Sequence, residues 1–112
     1  MHNIKKLIPM VFLLCSPSVF AANSGYIGSI SFSGSHSTWG AGHRNIVQFT
    51  IIGGFDAPGC DPTYAGIRKD ESILIEGLLQ AKAQNKEVTV QLDDGDTYYD
   101  GTRCIITDLF FF

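Results

Sequence analysis

The chain is short of the residues that several classes of site require. Three cysteines, three histidines and one tryptophan occur among 112 residues, and no CxxC or HxxxH spacing is present. A zinc site needs three or four closely placed ligands, and His36 and His43 in one polar segment do not supply them. The sequence therefore predicts no metal centre and no cofactor.

Positive charge is also scarce. Beyond residue 21, six Lys and Arg residues face eleven Asp and Glu residues, a formal charge of −5. Binding to nucleic acid requires a cationic surface that neutralises phosphates. A nucleic-acid partner is therefore not expected.

Groups suited to catalysis are few. An enzyme needs a nucleophile with its base, or a pair of carboxylates with shifted pKa values, and the residues offer only His43 near the serines of one loop. The segment DDGDTYYDG crowds four aspartates but lacks the DxDxDG spacing and distal glutamate of a calcium loop. We expect it to be a solvated hairpin and the protein not to be an enzyme.

The N-terminus has the layout of a secretory signal peptide. A positive stretch MHNIKK precedes the apolar LIPMVFLL, and Val19 and Ala21 are the small residues before a cleavage point. The apolar part is shorter than the roughly 20 residues that span a bilayer. The sequence thus predicts a signal peptide over residues 1–21, which removes Cys15, and one exported domain over residues 22–112, periplasmic or secreted.

Two cysteines remain in the exported domain, Cys60 in PGCDP and Cys104 in GTRCIITD. An even number of cysteines in an oxidising compartment predicts a disulfide. Closing a loop of about 45 residues is worth about 4 kcal/mol in the chain-entropy model, which is a large share of the stability of a small domain.

The first half of the domain alternates in the manner of half-buried strands. In YIGSISFSG, Tyr26, Gly28, Ile30 and Phe32 share one face, and in NIVQFTIIG apolar residues alternate with Gln and Thr. The segment between them, SGSHSTWGAGHRN, is too long for a tight hairpin and is predicted to be a surface loop. TYAGIR predicts a short third strand.

The hydrophobic period changes after Asp70, which suits a helix N-cap. The run ESILIEGLLQAKAQNK places Leu74, Ile75, Leu78 and Ala81 on one helical face. KEVTVQL then predicts a fourth strand, DDGD a turn, and TYYDGTRCIITDLFFF a fifth strand.

This order predicts a mainly β domain with one helix, an OB-fold-like barrel of five strands with the helix between strands 3 and 4. Gly77, opposite the apolar face of the helix, is either a tolerated surface glycine or a site where another backbone comes close. The mixed second face of the helix and the apolar end CIITDLFFF together predict a homo-oligomer.

Several segments resemble the small exported proteins related to the B subunit of subtilase cytotoxin. They are the cysteine ahead of TYAGIRKDES, the helix in ILIEGLLQAKAQNKEVTV and the second cysteine in the closing strands. The resemblance covers most of residues 24–110 and is best over 60–90. It implies a pentameric ring of OB-like barrels that binds sialylated glycans and carries a catalytic A subunit. No sugar-contacting residue of the toxins aligns residue by residue.

Sugars are held by aromatic faces with hydroxyl and amide groups at the rim. The candidates expected to be exposed are Trp39, His43 and Arg44 in the first long loop, with Tyr98 and Tyr99 beyond the acidic turn. Arg44 would face the carboxylate of a sialic acid. The competing expectation is that Trp39 closes the end of the barrel and the tyrosines face the core.

A second function fits the same features. A periplasmic or secreted module that binds or inhibits a protein or a small ligand would also be a small, disulfide-bonded, exported domain. The stoichiometry separates the two hypotheses, because a pentamer favours the toxin-like function and a monomer favours the module.

Overall fold

The structure is a computed structural model and describes residues 20–112 of the chain. The predicted signal peptide, together with Cys15, lies outside the described residues except for its last two positions, which begin the first strand. The elements in chain order are β1 (Phe20–Ser33), β2 (Ile46–Ile51), β3 (Ala65–Arg68), α1 (Ser72–Ala83), β4 (Glu87–Tyr98) and β5 (Arg103–Phe111).

The five strands pair in the order β1-β2-β3-β5-β4, and β4 pairs back to β1, so the sheet closes into a ring. All neighbours are antiparallel except β3 and β5, which run parallel through Ala65–Cys104 and Gly66–Ile105. The predicted fold class, mainly β with one helix between strands 3 and 4, is confirmed.

The core is formed by strands in which apolar and polar residues alternate strictly. Alternate residues of β2 and β4 point into the ring, so each strand contributes one apolar face. Removing such side chains from water contributes about 25 cal/mol per Å² of apolar surface. The six residues that confirm the predicted pattern are Val47, Phe49, Ile51, Val88, Val90 and Leu92.

The predicted face of β1 is wrong. Tyr26 and Phe32 are exposed, whereas Ile27 is buried. The register with β2 is irregular between Ile27 and Ile30, and a β-bulge there shifts which side chains face the core. The amine of Lys82 donates to the carbonyl of Gly28 in this irregular stretch, at 2.8 Å.

The helix packs against the ring as predicted. Leu78 and Ala81 are buried, and Leu74 and Ile75 pack partly buried against the core. The predicted N-cap at Asp70 is wrong, because the structure places the cap one residue later and without a side-chain cap hydrogen bond.

Gly77 does not meet another backbone. A Cβ built on it would lie 3.5 Å from the side chain of Leu109, an ordinary contact distance. The expectation that another backbone comes close at Gly77 is therefore wrong.

The turn between β4 and β5 is not at DDGD. β4 continues through this segment to Tyr98, with a register irregularity between Asp93 and Thr97, and the chain turns over residues 99–102. Asp100 shapes this turn, because its Oδ1 accepts hydrogen bonds from the N–H (3.1 Å) and the hydroxyl (2.6 Å) of Thr102. These bonds, the hydroxyl's first, lower the pKa of Asp100. Because the turn is shifted, Tyr98 is a buried residue of β4, whereas Tyr99 is exposed in the turn.

The predicted disulfide between Cys60 and Cys104 is confirmed, with Cα atoms 5.5 Å apart. It joins the loop after β2 to the start of β5, and the N–H of Asp61 donates to the carbonyl of Thr102 beside it, at 2.8 Å. A disulfide fits an oxidising, extracytoplasmic environment. Across residues 20–112, no helix has the length and apolar character needed to cross a membrane.

Candidate functional site

A cavity of about 300 Å³ opens on the outer side of β2. Val47 and Phe49 point into the core, so Gln48 between them points outward into this cavity. The loop between β1 and β2 (residues 34–45, the first loop) and the turn between β4 and β5 (residues 99–102) form its other walls. We call this cavity the aromatic pocket; its lining residues are Ser31, Phe32, Ser33, Trp39, His43, Gln48, Tyr64, Tyr99 and Arg103.

Arg103 forms the charged wall of the pocket. Its guanidinium lies between the rings of Tyr64 and Tyr99, at 4.4 Å from each ring centroid, and Nη1 donates to Oε1 of Gln48 at 2.7 Å. Nε of Arg103 is buried and has no hydrogen-bond partner within the described residues. Two cation–π contacts and one hydrogen bond thus fix the plane of a cation whose hydrogen-bonding capacity is not used up.

Tyr98 lies beneath this wall. Its hydroxyl donates to Oε1 of Gln48 at 2.9 Å, so the same oxygen accepts from both Tyr98 and Arg103. Burial raises the pKa of the Tyr98 phenol above its ordinary value, although the nearby Arg103 cation acts in the opposite direction. The phenol therefore stays protonated and remains a donor, and Gln48 is held from two sides.

His43 joins the first loop to the pocket. It ends a short 3-10 turn over Ala41–His43 and is buried, and Nδ1 lies 2.8 Å from Oγ of Ser33. Its ring meets the rings of Tyr98 and Tyr99 edge-on, with centroids 5.9 and 5.2 Å away. The histidine therefore positions the first loop against the turn.

The backbone of Gly42 seals the same junction. The N–H of Tyr99 donates to the carbonyl of Gly42 at 3.1 Å, and a Cβ on Gly42 would lie 3.1 Å from the carbonyl oxygen of Tyr99. This approach is tighter than a side chain would allow without a shift. Tyr99 itself has a φ of 66°, so the turn backbone is shaped to meet the loop.

The Ser33–His43 pair is not arranged as a catalytic dyad. A serine nucleophile needs a base that a third group orients. Among residues 23–112, no carboxylate lies within ion-pairing distance of His43, and the ring packs against aromatic side chains instead. The pair supplies a fixed hydroxyl at the pocket wall.

Trp39 stands at the rim of the pocket. Its side chain is 70% exposed, and its ring centroid lies 6.3 Å from that of His43. The expectation that this tryptophan closes the end of the sheet is therefore wrong. A largely exposed indole beside a cavity is suited to stack on a flat, partly apolar ligand.

The structure brings three of the five predicted ligand-binding residues, Trp39, His43 and Tyr99, to one pocket. The expected exposure is wrong for His43 and Tyr98, which are 5% and 4% exposed, because the two rings pack edge-on against each other where the first loop meets the end of β4. Arg44 lies outside the aromatic pocket and lines a neighbouring cavity.

Sequence reasoning missed Arg103, Tyr64 and Gln48. A signal for two of them was present, since Arg103 directly precedes Cys104 and Tyr64 follows Cys60 by four positions. The predicted disulfide therefore places these two residues near each other before any fold is known. Gln48 carried no such signal, because a polar residue alternating on a strand is ordinary.

In the part of the chain that the structure describes, no group of three or more His, Cys, Asp or Glu side chains could hold a metal ion. The aromatic pocket is instead equipped with stacking surfaces, hydroxyls and one fixed cation. No protein family, curated protein or solved structure matches this chain.

Proposed function

We propose that the protein is an exported carbohydrate-binding protein whose aromatic pocket holds an acidic sugar. The observation that carries the proposal is the guanidinium of Arg103, fixed between Tyr64 and Tyr99 on the pocket wall. Arginine binds carboxylates through charge-assisted hydrogen bonds. Trp39 offers the stacking face and Ser33 a hydroxyl for the sugar's own hydroxyls. Arg103 thus takes the role that the sequence suggested for Arg44.

The strand order supports this assignment. The order β1-β2-β3-β5-β4 with the helix after β3 is the one expected of an OB-fold barrel. OB-folds bind oligonucleotides and oligosaccharides on the face of strands 2 and 3 and with the loops between strands 1 and 2 and strands 4 and 5. The aromatic pocket lies among these three parts, and the formal charge of −5 favours the oligosaccharide.

We further propose that the protein assembles as a homo-oligomeric ring in the manner of a toxin B subunit, with a catalytic A subunit as the partner. The support is the resemblance together with apolar side chains that stay exposed on α1 and β5, among them Ile73 (81% exposed) and Phe110 (44% exposed). Light scattering coupled to gel filtration tests the ring. A monomer at tens of micromolar would favour the small binding or inhibitory module instead.

The pocket is tested by replacing Trp39 with alanine and measuring binding on a glycan array, followed by titration of the best ligand. Loss of the stacking face should weaken binding by about tenfold or more, corresponding to 1.4 kcal/mol, with an unchanged melting temperature. Ile52→Ala is the matched control, because Ile52 is also a large exposed side chain, at 68%, but does not line the pocket.

Two results would count against the proposal. A Trp39→Ala protein that unfolds would show that the indole supports the fold rather than a ligand. A wild-type protein that binds no glycan would favour a module with a protein or small-ligand partner. The proposal assigns no catalytic reaction to the chain.

A further inference from the structure

The aromatic pocket continues into two further cavities. It shares Phe32 and Ser33 with a second cavity of about 290 Å³. That cavity in turn shares Asn45 and Lys69 with a third cavity of about 270 Å³. Because neighbouring cavities share lining residues, the three lie in a row on the surface, and we call this row the groove.

β2 and the residues just before it run along this groove. Gln48 lines the aromatic pocket, Ile46 the second cavity and Arg44 the third. At about 3.3 Å per residue, the two steps of β2 from Gln48 to Ile46 span roughly 7 Å, and the third cavity lies beyond Ile46, past the turn at Arg44 and Asn45. The groove is therefore longer than one sugar ring.

The groove has a cation at each end. Arg103 lies at the aromatic end, and Arg44 and Lys69 lie at the other. Arg44 is exposed, and its Nε makes one long hydrogen bond, 3.4 Å, to the carbonyl of Ser37. Asp70 is the one acidic residue in the lining of the third cavity, so Arg44 and Lys69 leave an excess of positive charge there.

Arg68 also lines the third cavity, but it is paired with Asp96 at 2.7 Å. Counting it, four of the six basic residues beyond residue 21 line the groove, in a domain of formal charge −5. Between the charged ends the second cavity presents mainly apolar side chains, including Phe32 and Ile75. Positive charge is thus concentrated where an extended ligand would lie.

We infer that the groove binds one oligosaccharide through two of its acidic groups, the first at Arg103 and the second at Arg44 and Lys69. This inference rests on the proposed function, because both use the aromatic pocket. A sugar between the two acidic groups lies over the apolar floor. Once the first acidic group is bound, the second meets its cations at high effective concentration, so a ligand with two such groups binds more tightly than a ligand with one.

Isothermal titration with sialyllactose, which carries one carboxylate, and with disialyl- and trisialyl-lactose tests this inference. Wild-type protein should bind the multiply acidic ligands at least about tenfold more tightly. Lys69→Gln should remove most of this advantage and leave the affinity for sialyllactose unchanged. Arg103→Gln should weaken binding of all three ligands.

Lys86→Gln is the matched control, because it removes one positive charge from a residue outside the groove. The advantage of the multiply acidic ligands should persist in this variant. It should also shrink in the wild type as salt is raised, because exposed cations are screened.

The outcomes separate the two proposals. Equal wild-type affinity for all three ligands, or an unchanged advantage in Lys69→Gln, would overturn the extended groove and leave the acidic-sugar pocket standing. Failure of the wild type to bind any of the three, while other glycans bind on an array, would overturn the groove and the acidic ligand together. Tighter binding of a single-stranded oligonucleotide than of any sugar would overturn both proposals.

Discussion

Replacing Gly66 with alanine should displace the ring of Tyr98, which supports the aromatic pocket through Gln48. Gly66 lies in β3, and a Cβ built on it would be 2.5 Å from Cε1 and 2.9 Å from Cζ of Tyr98. Carbon atoms pack without repulsion at about 3.5–4.0 Å. Tyr98 is 4% exposed and its hydroxyl is bonded to Gln48, so its ring has no solvent to move into.

The cost follows from two effects. Forcing an extra methyl group into a packed site costs about 1–3 kcal/mol, and displacing the Tyr98 ring weakens a hydrogen bond worth about 1 kcal/mol. The free energy of unfolding should therefore fall by about 2–4 kcal/mol. For a domain of this size that corresponds to a fall in melting temperature of at least about 8 °C.

Thermal and urea unfolding followed by circular dichroism measure this loss, with Gly77→Ala as the control. A Cβ on Gly77 meets Leu109 at an ordinary 3.5 Å, and alanine is favoured over glycine inside a helix by about 1 kcal/mol. The two glycine-to-alanine changes should thus act with opposite signs. A Gly66→Ala protein within about 0.5 kcal/mol of the wild type would refute the tight contact with Tyr98, since changes of that size are typical of surface positions.

Two further predictions concern stability. Replacing Cys60 and Cys104 together with serine should lower the free energy of unfolding by up to about 4 kcal/mol, measured by urea titration; an unchanged midpoint would show that the ring does not depend on the bond. Tyr98 has a folded pKa above the unfolded value of about 10, so its contribution is complete below pH 10 and is lost as the pH rises further. The free energy of unfolding should therefore fall between pH 8 and pH 11 by less in Tyr98→Phe than in the wild type. Equal falls in the two proteins would contradict the raised pKa that burial gives Tyr98.

The sequence predicted the strands that obey a strict period and failed where the period breaks. Val88 and Val90 alternate without interruption, so both were assigned to the core correctly. In β1 the partly buried Ile30 lies three positions after the buried Ile27, which a period of two cannot reconcile without a bulge. The pattern alone does not say where a bulge lies.

The position of the turn between β4 and β5 was predicted wrongly for a related reason. Asp-Gly occurs both at Gly95 and at Gly101, and either pair is a good turn signal. Pairing of β4 with β5 decides between them, and this pairing is a tertiary property. The first Asp-Gly became a strand irregularity and the second became the turn.

The candidate site was predictable only in part. Trp39 and Tyr99 are aromatic residues in loops, and loop composition is visible in a sequence. Arg103 becomes a pocket wall only because Tyr64 and Tyr99 approach it from two different loops. The disulfide indicates that Tyr64 lies near Arg103, but the contact with Tyr99 depends on where the β4–β5 turn falls, which alternation and turn signals did not decide.

The disulfide also determines when one wall of the aromatic pocket is completed. Cys104 is the neighbour of Arg103, and Cys60 lies four positions before Tyr64, so the bond that closes the loop also brings the tyrosine over the guanidinium. Disulfides persist where thiols are oxidised and are rare where glutathione and thioredoxin keep them reduced. A chain whose thiols are kept reduced would therefore lack the clamp on one wall of its pocket, and the pocket would be complete only after Cys60 and Cys104 are oxidised.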